Sequence, residues 1–199
     1  PAGVREPEFH RDRLIVSDET QLTLFTLEGL TRAMQVPNQS EHDLLAEIRL
    51  SYQDWLASQG QGSADGGHAT RLLKHAALHA RRDPGATCVQ ALRAGGGGSP
   101  ERPLNDSRES GGTLRSTPVA YMPELSTEQA FRLGARAAAL THGHPAGYLP
   151  AGILAAAVHD VLGGKPLQTA MIHAGDQARG MRGHETTLRG LRAAIDASI

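Results

Sequence analysis

Apolar residues in this chain recur every three or four positions, segment after segment, and nowhere alternate convincingly with a period of two. That spacing marks amphipathic helices packed on one another and argues for an all-α fold rather than a sheet. Leu24, Leu27, Leu30 and Met34, widened by Leu22 and Phe25, predict a helix over 20–34 that Val36-Pro37-Asn38 ends. Ser40, three residues before Asp43, predicts an N-cap for a helix over 41–58, with Leu44, Ile48, Tyr52 and Trp55 on one face. Leu72, Leu73, Ala76, Ala77 and Ala80 predict a third helix, and Asp83-Pro84 caps a short one through Cys88 and Leu92. Ser126 and Gln129 form a capping box for a helix to about Leu140, and helices over 149–162, 167–181 and 185–197 follow. The stretch before residue 15 reads as an irregular lead-in, and the glycines of 59–67 and 95–98 read as breaks.

A chain of 199 residues holds one core comfortably and two poorly. Its aromatic content of 4% leaves that core to Leu and Ala, which suit closely packed helices. Twenty Lys and Arg against 21 Asp and Glu give a net charge of -1, which excludes a broad basic face for nucleic acid. No apolar run approaches the roughly 20 residues that span a bilayer, so no membrane partner is expected. Cys88 is the only cysteine, so no internal disulfide can form, and a reducing cytoplasm is the expected compartment.

Three loops carry residues suited to chemistry. Ser17-Asp18-Glu19-Thr20 opens a helix with a hydroxyl and two adjacent carboxylates, which could hold a hard divalent cation or could merely cap the helix. Asn105 to Arg115 is rich in small polar residues and reads either as a phosphate-binding nest or as a polar turn. Within it, Arg115 could reach a phosphate or sit in a buried ion pair. Thr141-His142-Gly143-His144-Pro145-Ala146-Gly147-Tyr148 offers imidazoles and a ring between two helices, while the absence of any nearby cysteine argues against zinc. His75 and His79 lie four apart on a helix but lack the glutamate of a metalloprotease motif, and read as ordinary histidines.

Taken together and in order, these segments resemble the ADP-ribosylglycohydrolase family. Ser17-Asp18-Glu19-Thr20-Gln21-Leu22-Thr23 is similar to its Ser/Thr-Asp-Asp-Thr-Gln-Met-Thr segment. Pro84-Gly85-Ala86-Thr87-Cys88 is similar to its Pro-Gly-Asn-Thr-Cys turn, and Asn105 to Arg115 to its Asn-x-Ser-Lys-Gly-x-Gly-Gly-x-Met-Arg stretch. Thr141-His142 with Gly147-Tyr148 is similar to its Thr-His-x-x-x-x-Gly-Tyr loop.

The resemblance implies an orthogonal multi-helix domain over residues 1–199 and hydrolytic release of ADP-ribose from a modified protein or a small ADP-ribosyl compound. It implies a dinuclear Mg²⁺ or Mn²⁺ site, with Ser17, Asp18 and Glu19 as metal ligands and Asp18 and Glu19 as catalytic carboxylates. Ser107, Gly111 and Gly112 would cradle the diphosphate or distal ribose, His142 would contact phosphate, and Gly147 and Tyr148 would border the nucleotide. Two positions depart from the pattern: Glu19 replaces an aspartate, and Glu109 stands where the family has glycine. The family's Gly-rich N-terminal helix with its Glu and its C-terminal Asp-x-Asp-Thr segment are not among these residues, which implies a domain incomplete at both ends and half a metal site. The alternative is an inactive or truncated relative that binds ADP-ribose or serves as an interaction protein.

Overall fold

A computed structural model describes residues 9–10, 13–61 and 71–197. The fold is all-α: the described residues form eight α-helices, three 3₁₀ turns and one pair of two-residue strands. The strands β1 (Phe9–His10) and β2 (Arg13–Leu14) pair antiparallel within the stretch expected to be irregular.

Helix α1 (Asp18–Ala33) begins two residues before the expected start, with Ser17 as its N-cap and Asp18 and Glu19 in its first turn. Its buried face is Leu22, Phe25, Thr26, Gly29, Leu30 and Ala33, while Leu24, Leu27 and Met34 of the expected stripe are exposed. Leu22, Phe25 and Leu30 of the expected stripe are buried, and the contact turns toward Thr26 and Gly29 rather than Leu24 and Leu27. A Cβ on Gly29 would lie 2.8 Å from both the Glu47 carbonyl oxygen and the Ile48 Cα of α2 (Glu41–Ser58), so glycine sets how closely the two helices cross. Helix α2 matches its expected bounds. Its Ser40–Asp43 capping box is formed in both directions, and Leu44, Ile48, Tyr52 and Trp55 are buried.

The expected helix over 72–80 is instead two 3₁₀ turns, Arg71–Lys74 and Ala76–His79, with His75 extended between them. Side chains from elsewhere hold the end of the segment: Gln21 Nε2 donates to Ala80 O at 2.9 Å and Gln59 Nε2 to Leu78 O at 3.4 Å. His79 bonds Leu73 O locally, as an ordinary histidine would. Helix α3 (Ala86–Arg93) is capped by Gly85 rather than Asp83. Asp83 has φ 54°, a left-handed conformation that lies outside the extended region an N-cap uses. The loop expected at 59–67 falls largely outside the described residues.

One turn of helix, α4 (Gly111–Leu114), and the 3₁₀ turn Thr117–Tyr121 lead to α5 (Thr127–Ala139), whose Ser126–Gln129 capping box is present as expected. Helix α6 (Pro145–Leu162) starts four residues early, with His144 Nδ1 accepting the Ala146 amide as N-cap and Pro145 in the first turn. Helices α7 (Leu167–Ala178) and α8 (Glu185–Asp196) end somewhat short of their expected limits.

The interior has two adjoining parts. One gathers Phe25, Ile48, Tyr52, Trp55, Leu92, Val119 and Leu133 around α1 and α2; the other is the alanine-rich contact of α5, α6 and α7. In the second part backbones approach closely, since a Cβ on Gly152 would lie 2.6 Å from Phe131 O.

A polar joint ties α5, α6 and α7 together. Asp160, 3% exposed, accepts from Thr127 Oγ1 at 2.6 Å and Lys165 Nζ at 2.8 Å, and its other oxygen lies 2.6 Å from His173 Nδ1. Burial pushes its pKa up, but the hydrogen bonds from Lys165, Thr127 and His173 outweigh burial and hold it below the ordinary 3.8. A carboxyl depressed in the folded state stabilises above its unfolded value and loses that contribution as pH falls through the lower folded value. Urea unfolding should therefore show stability declining below about pH 4, with a shallower decline in Asp160→Asn. Identical acid slopes in both proteins would contradict this.

Candidate functional site

Asp18 and Glu19 occupy the first turn of α1 because Ser17 Oγ accepts the Thr20 amide at 3.4 Å and starts the helix there. Asp18 is buried, and the Gly85 amide donates to its Oδ2 at 3.4 Å. Burial, the hydrogen bond with Glu19 and the charge of Glu19 raise its pKa to about 6. Burial also raises Glu19, yet hydrogen bonds from Asp18 and Ser17 prevail and leave it below its ordinary value. Near pH 7 both carboxylates are therefore largely ionised, and Asp18 is the one that takes up a proton as pH falls toward 6.

The Asn105–Arg115 stretch is fastened to the Thr141–His144 loop by one side chain. Asn105 Nδ2 donates to Thr141 O at 2.8 Å, and its Oδ1 accepts the amides of Ser107 and Gly143, both at 3.0 Å. Thr87 Oγ1 donates to Ser107 Oγ at 3.2 Å, so the first turn of α3 joins the same structure. His142 is 1% exposed, with Nδ1 2.8 Å from Thr141 Oγ1. Its pKa is lowered to about 4 by burial and by the Arg115 charge, against the opposing effect of Glu109, so the ring is neutral near pH 7.

These segments meet. A cleft of about 170 Å³ is lined by Asp18, Glu19, Leu22, Gly85, Cys88, Glu109, Ser110, Gly111 and His142. Of the residues singled out from sequence, Asp18, Glu19, Gly111 and His142 line it. The others stand behind it. Ser17 is an exposed cap, and Gly112 packs where a Cβ would be 2.8 Å from Ala138 Cβ. Gly147 packs where a Cβ would be 2.6 Å from Ser107 O, and both Gly147 and Tyr148 lie in the first turn of α6, not in a loop. Burial raises the Tyr148 pKa, as does the nearby Glu101.

Five lining residues have no site role from sequence alone: Leu22, read as core; Glu109, a departure from the family pattern; and Gly85, Cys88 and Ser110. Cys88 and Gly85 lie in the Pro-Gly-Ala-Thr-Cys turn whose motif was legible, whereas Ser110 carried no signal beyond its neighbours. Arg115 forms no ion pair with a carboxylate among the described residues. It is 1% exposed, its guanidinium lies 4.6 Å over the Tyr52 ring, and Nη1 donates to Cys88 Sγ at 3.2 Å.

A larger groove of about 570 Å³ runs between α7 and α8 past Ile172, Gly175, Leu188 and Leu191. Asp176 on its wall is paired with Arg179 at 2.7 Å, and it has no buried titratable group. Size alone does not make it the reactive site.

A model of the ADP-ribosylglycohydrolase family matches residues 1–198. The chain belongs to that family. Searches of curated proteins and of solved structures return no match to it. Family membership gives the chain its chemical class, a hydrolase of ADP-ribose linkages. The four ordered motifs lie around this one cleft instead of being scattered over the surface.

Proposed function

We propose that this member of the ADP-ribosylglycohydrolase family hydrolyses the bond between the anomeric carbon of ADP-ribose and a protein side chain or small ADP-ribosyl compound. The observation that carries the reading is the meeting of Asp18 and Glu19 with Gly111 and His142 in one cleft. Such cleavage passes through a cationic, oxocarbenium-like sugar that nearby carboxylates stabilise. The ionised pair can orient a water, and Asp18, the more basic of the two, can accept its proton as the new bond forms. His142 meets a phosphate oxygen, while Ser107, Gly112, Gly147 and Tyr148 hold the backbone around it.

Mg²⁺ or Mn²⁺ belongs to the same reading. Ser17, Asp18 and Glu19 are hard oxygen donors, right in kind for either ion. They fall short in number, because the described residues contain no group of three or more Asp, Glu, His or Cys side chains placed to hold a metal. The donor set suits one weakly held, mostly hydrated ion better than two tightly held ones. That shortfall favours a second reading, an ADP-ribose-binding relative without turnover. The expected compartment is the cytoplasm, on the single free thiol of Cys88; no helix among the described residues is long and apolar enough to cross a membrane.

Calorimetry with ADP-ribose, with and without Mn²⁺, beside hydrolysis assays on ADP-ribosyl-arginine and ADP-ribosyl-serine peptides, separates the two readings. Turnover that needs the metal supports the hydrolase. ADP-ribose binding without turnover supports the binding protein, and absence of both removes the two together.

A further inference from the structure

Thr141 Oγ1 has one proton to give and two lone pairs to offer. Arg115 Nη2 bonds it, and because a guanidinium can only donate, one lone pair is taken. Two neighbours remain for the hydroxyl: His142 Nδ1 at 2.8 Å and Ala138 O at 3.5 Å. The second distance lies beyond the range of an O–H···O bond. Ala138 O is moreover already engaged by the amides of Thr141 at 3.1 Å and His142 at 3.0 Å. The hydroxyl proton therefore goes to His142 Nδ1.

We infer that Arg115 and Thr141 are positioning residues that fix His142 as the tautomer protonated at Nε2, so that the ring faces the cleft as a hydrogen-bond donor. The geometry at the other side of the ring agrees. A Cβ on Gly111 would lie 3.4 Å from His142 Nε2, so the absence of a side chain there leaves the Nε2 edge open toward the cleft. Among the described residues Nε2 has no hydrogen-bond partner. The guanidinium is itself held from two further sides, by the Tyr52 ring and Cys88 Sγ, and cannot readily swing away from Thr141.

The opposite tautomer would point a lone pair into the cleft and repel an anionic oxygen. The locked one offers a neutral donor to it, so a phosphate oxygen is the chemistry it fits. This last step rests on the proposed function; the tautomer does not. Low pKa supports the assignment, since a ring that stays neutral has a tautomer to fix.

The test is ¹⁵N-edited NMR of the histidine-labelled protein at pH 7.5, with the His142 signals assigned by their loss in His142→Gln. Wild type is expected to show Nδ1 unprotonated and Nε2 protonated. Thr141→Val and Arg115→Met are expected to shift His142 toward a tautomer mixture, and Thr141→Ser, which keeps the hydroxyl, to restore the wild-type pattern. If Arg115→Met fails to fold, the Thr141 pair still decides. ADP-ribose affinity should fall roughly ten- to a hundredfold in Thr141→Val, the worth of one hydrogen bond to a charged group, and recover in Thr141→Ser. A wild-type ring protonated at Nδ1, or a pattern unmoved by Thr141→Val, overturns the inference. The locked tautomer with no ADP-ribose affinity in wild type would instead overturn the proposed function alone.

Discussion

Asp18→Asn is expected to cut hydrolysis of ADP-ribosyl substrates by about 10²- to 10⁴-fold, the usual scale for losing a positioned acid–base group, while the chain stays folded. Asparagine preserves the shape of the side chain but can neither accept a proton from water nor offer a full negative charge to a cationic sugar. Structurally it gives up little. The Gly85 amide donates to the Asp18 carboxylate over a long 3.4 Å, and an asparagine Oδ1 can still accept that bond. The lost interaction of a negative charge with the helix start is worth roughly 0.3–1 kcal/mol, and Glu19 remains beside it in the first turn. Initial rates of ADP-ribose release and urea unfolding, measured side by side, check both halves. A rate within a few-fold of wild type would remove Asp18 from the chemistry, and a variant that loses rate only because it unfolds would make its role structural.

What the sequence disclosed divides along physical lines. Local signals were readable: both capping boxes, at Ser40–Asp43 and Ser126–Gln129, involve residues three apart and need no tertiary context. The start of α6 was readable in principle too, since His144-Pro145 places a capping side chain before a proline at the first helical position. The same residues resemble a ligand loop through Gly147-Tyr148, which masks the helix start. Three features depended on contacts that no local pattern contains. The segment 71–80 forms 3₁₀ turns among contacts from Gln21 and Gln59, which lie outside it in the chain. The buried side of α1 includes Thr26, which bonds both Leu22 O and the Tyr52 hydroxyl, so a polar residue faces the interior.

Arg115 is the plainest of the three. A buried cation normally implies a carboxylate nearby. Here aromatic, sulfur and hydroxyl partners come from α2, α3 and the 141 loop, none of them adjacent in sequence. The resemblance brought Asp18 and His142 into one hypothesis, but it could not distinguish cleft-lining residues from those that hold the cleft from behind. Gly112 and Gly147 are conspicuous in the motifs for a packing reason, as close backbone approaches.

The same distinction makes Gly143 the position where one added carbon should do most damage. A Cβ there would overlap the Asn105 carbonyl oxygen and lie 2.7 Å from Pro103 Cβ. The main obstacle is backbone, which cannot rotate aside as a side chain would. To admit alanine the 103–107 strand of chain must retreat from the 141–144 loop. That motion breaks the Asn105 clamp, with its bonds to Thr141 O at 2.8 Å and to the Gly143 amide at 3.0 Å. Overpacking costs about 1–3 kcal/mol, and each lost hydrogen bond adds roughly 1 kcal/mol, so Gly143→Ala should lose about 3 kcal/mol or more. Because the displaced loop carries His142, ADP-ribose affinity should fall in the molecules that remain folded. Gly190→Ala is the matched control. Gly190 lies within α8 with nothing within 4 Å of a Cβ, and the better helix former should stabilise by about 0.5–1 kcal/mol. Urea unfolding of the two variants should move in opposite directions. A Gly143→Ala protein as stable as wild type would mean that the two loops are not pressed together as described, and the cleft they form would lose its support.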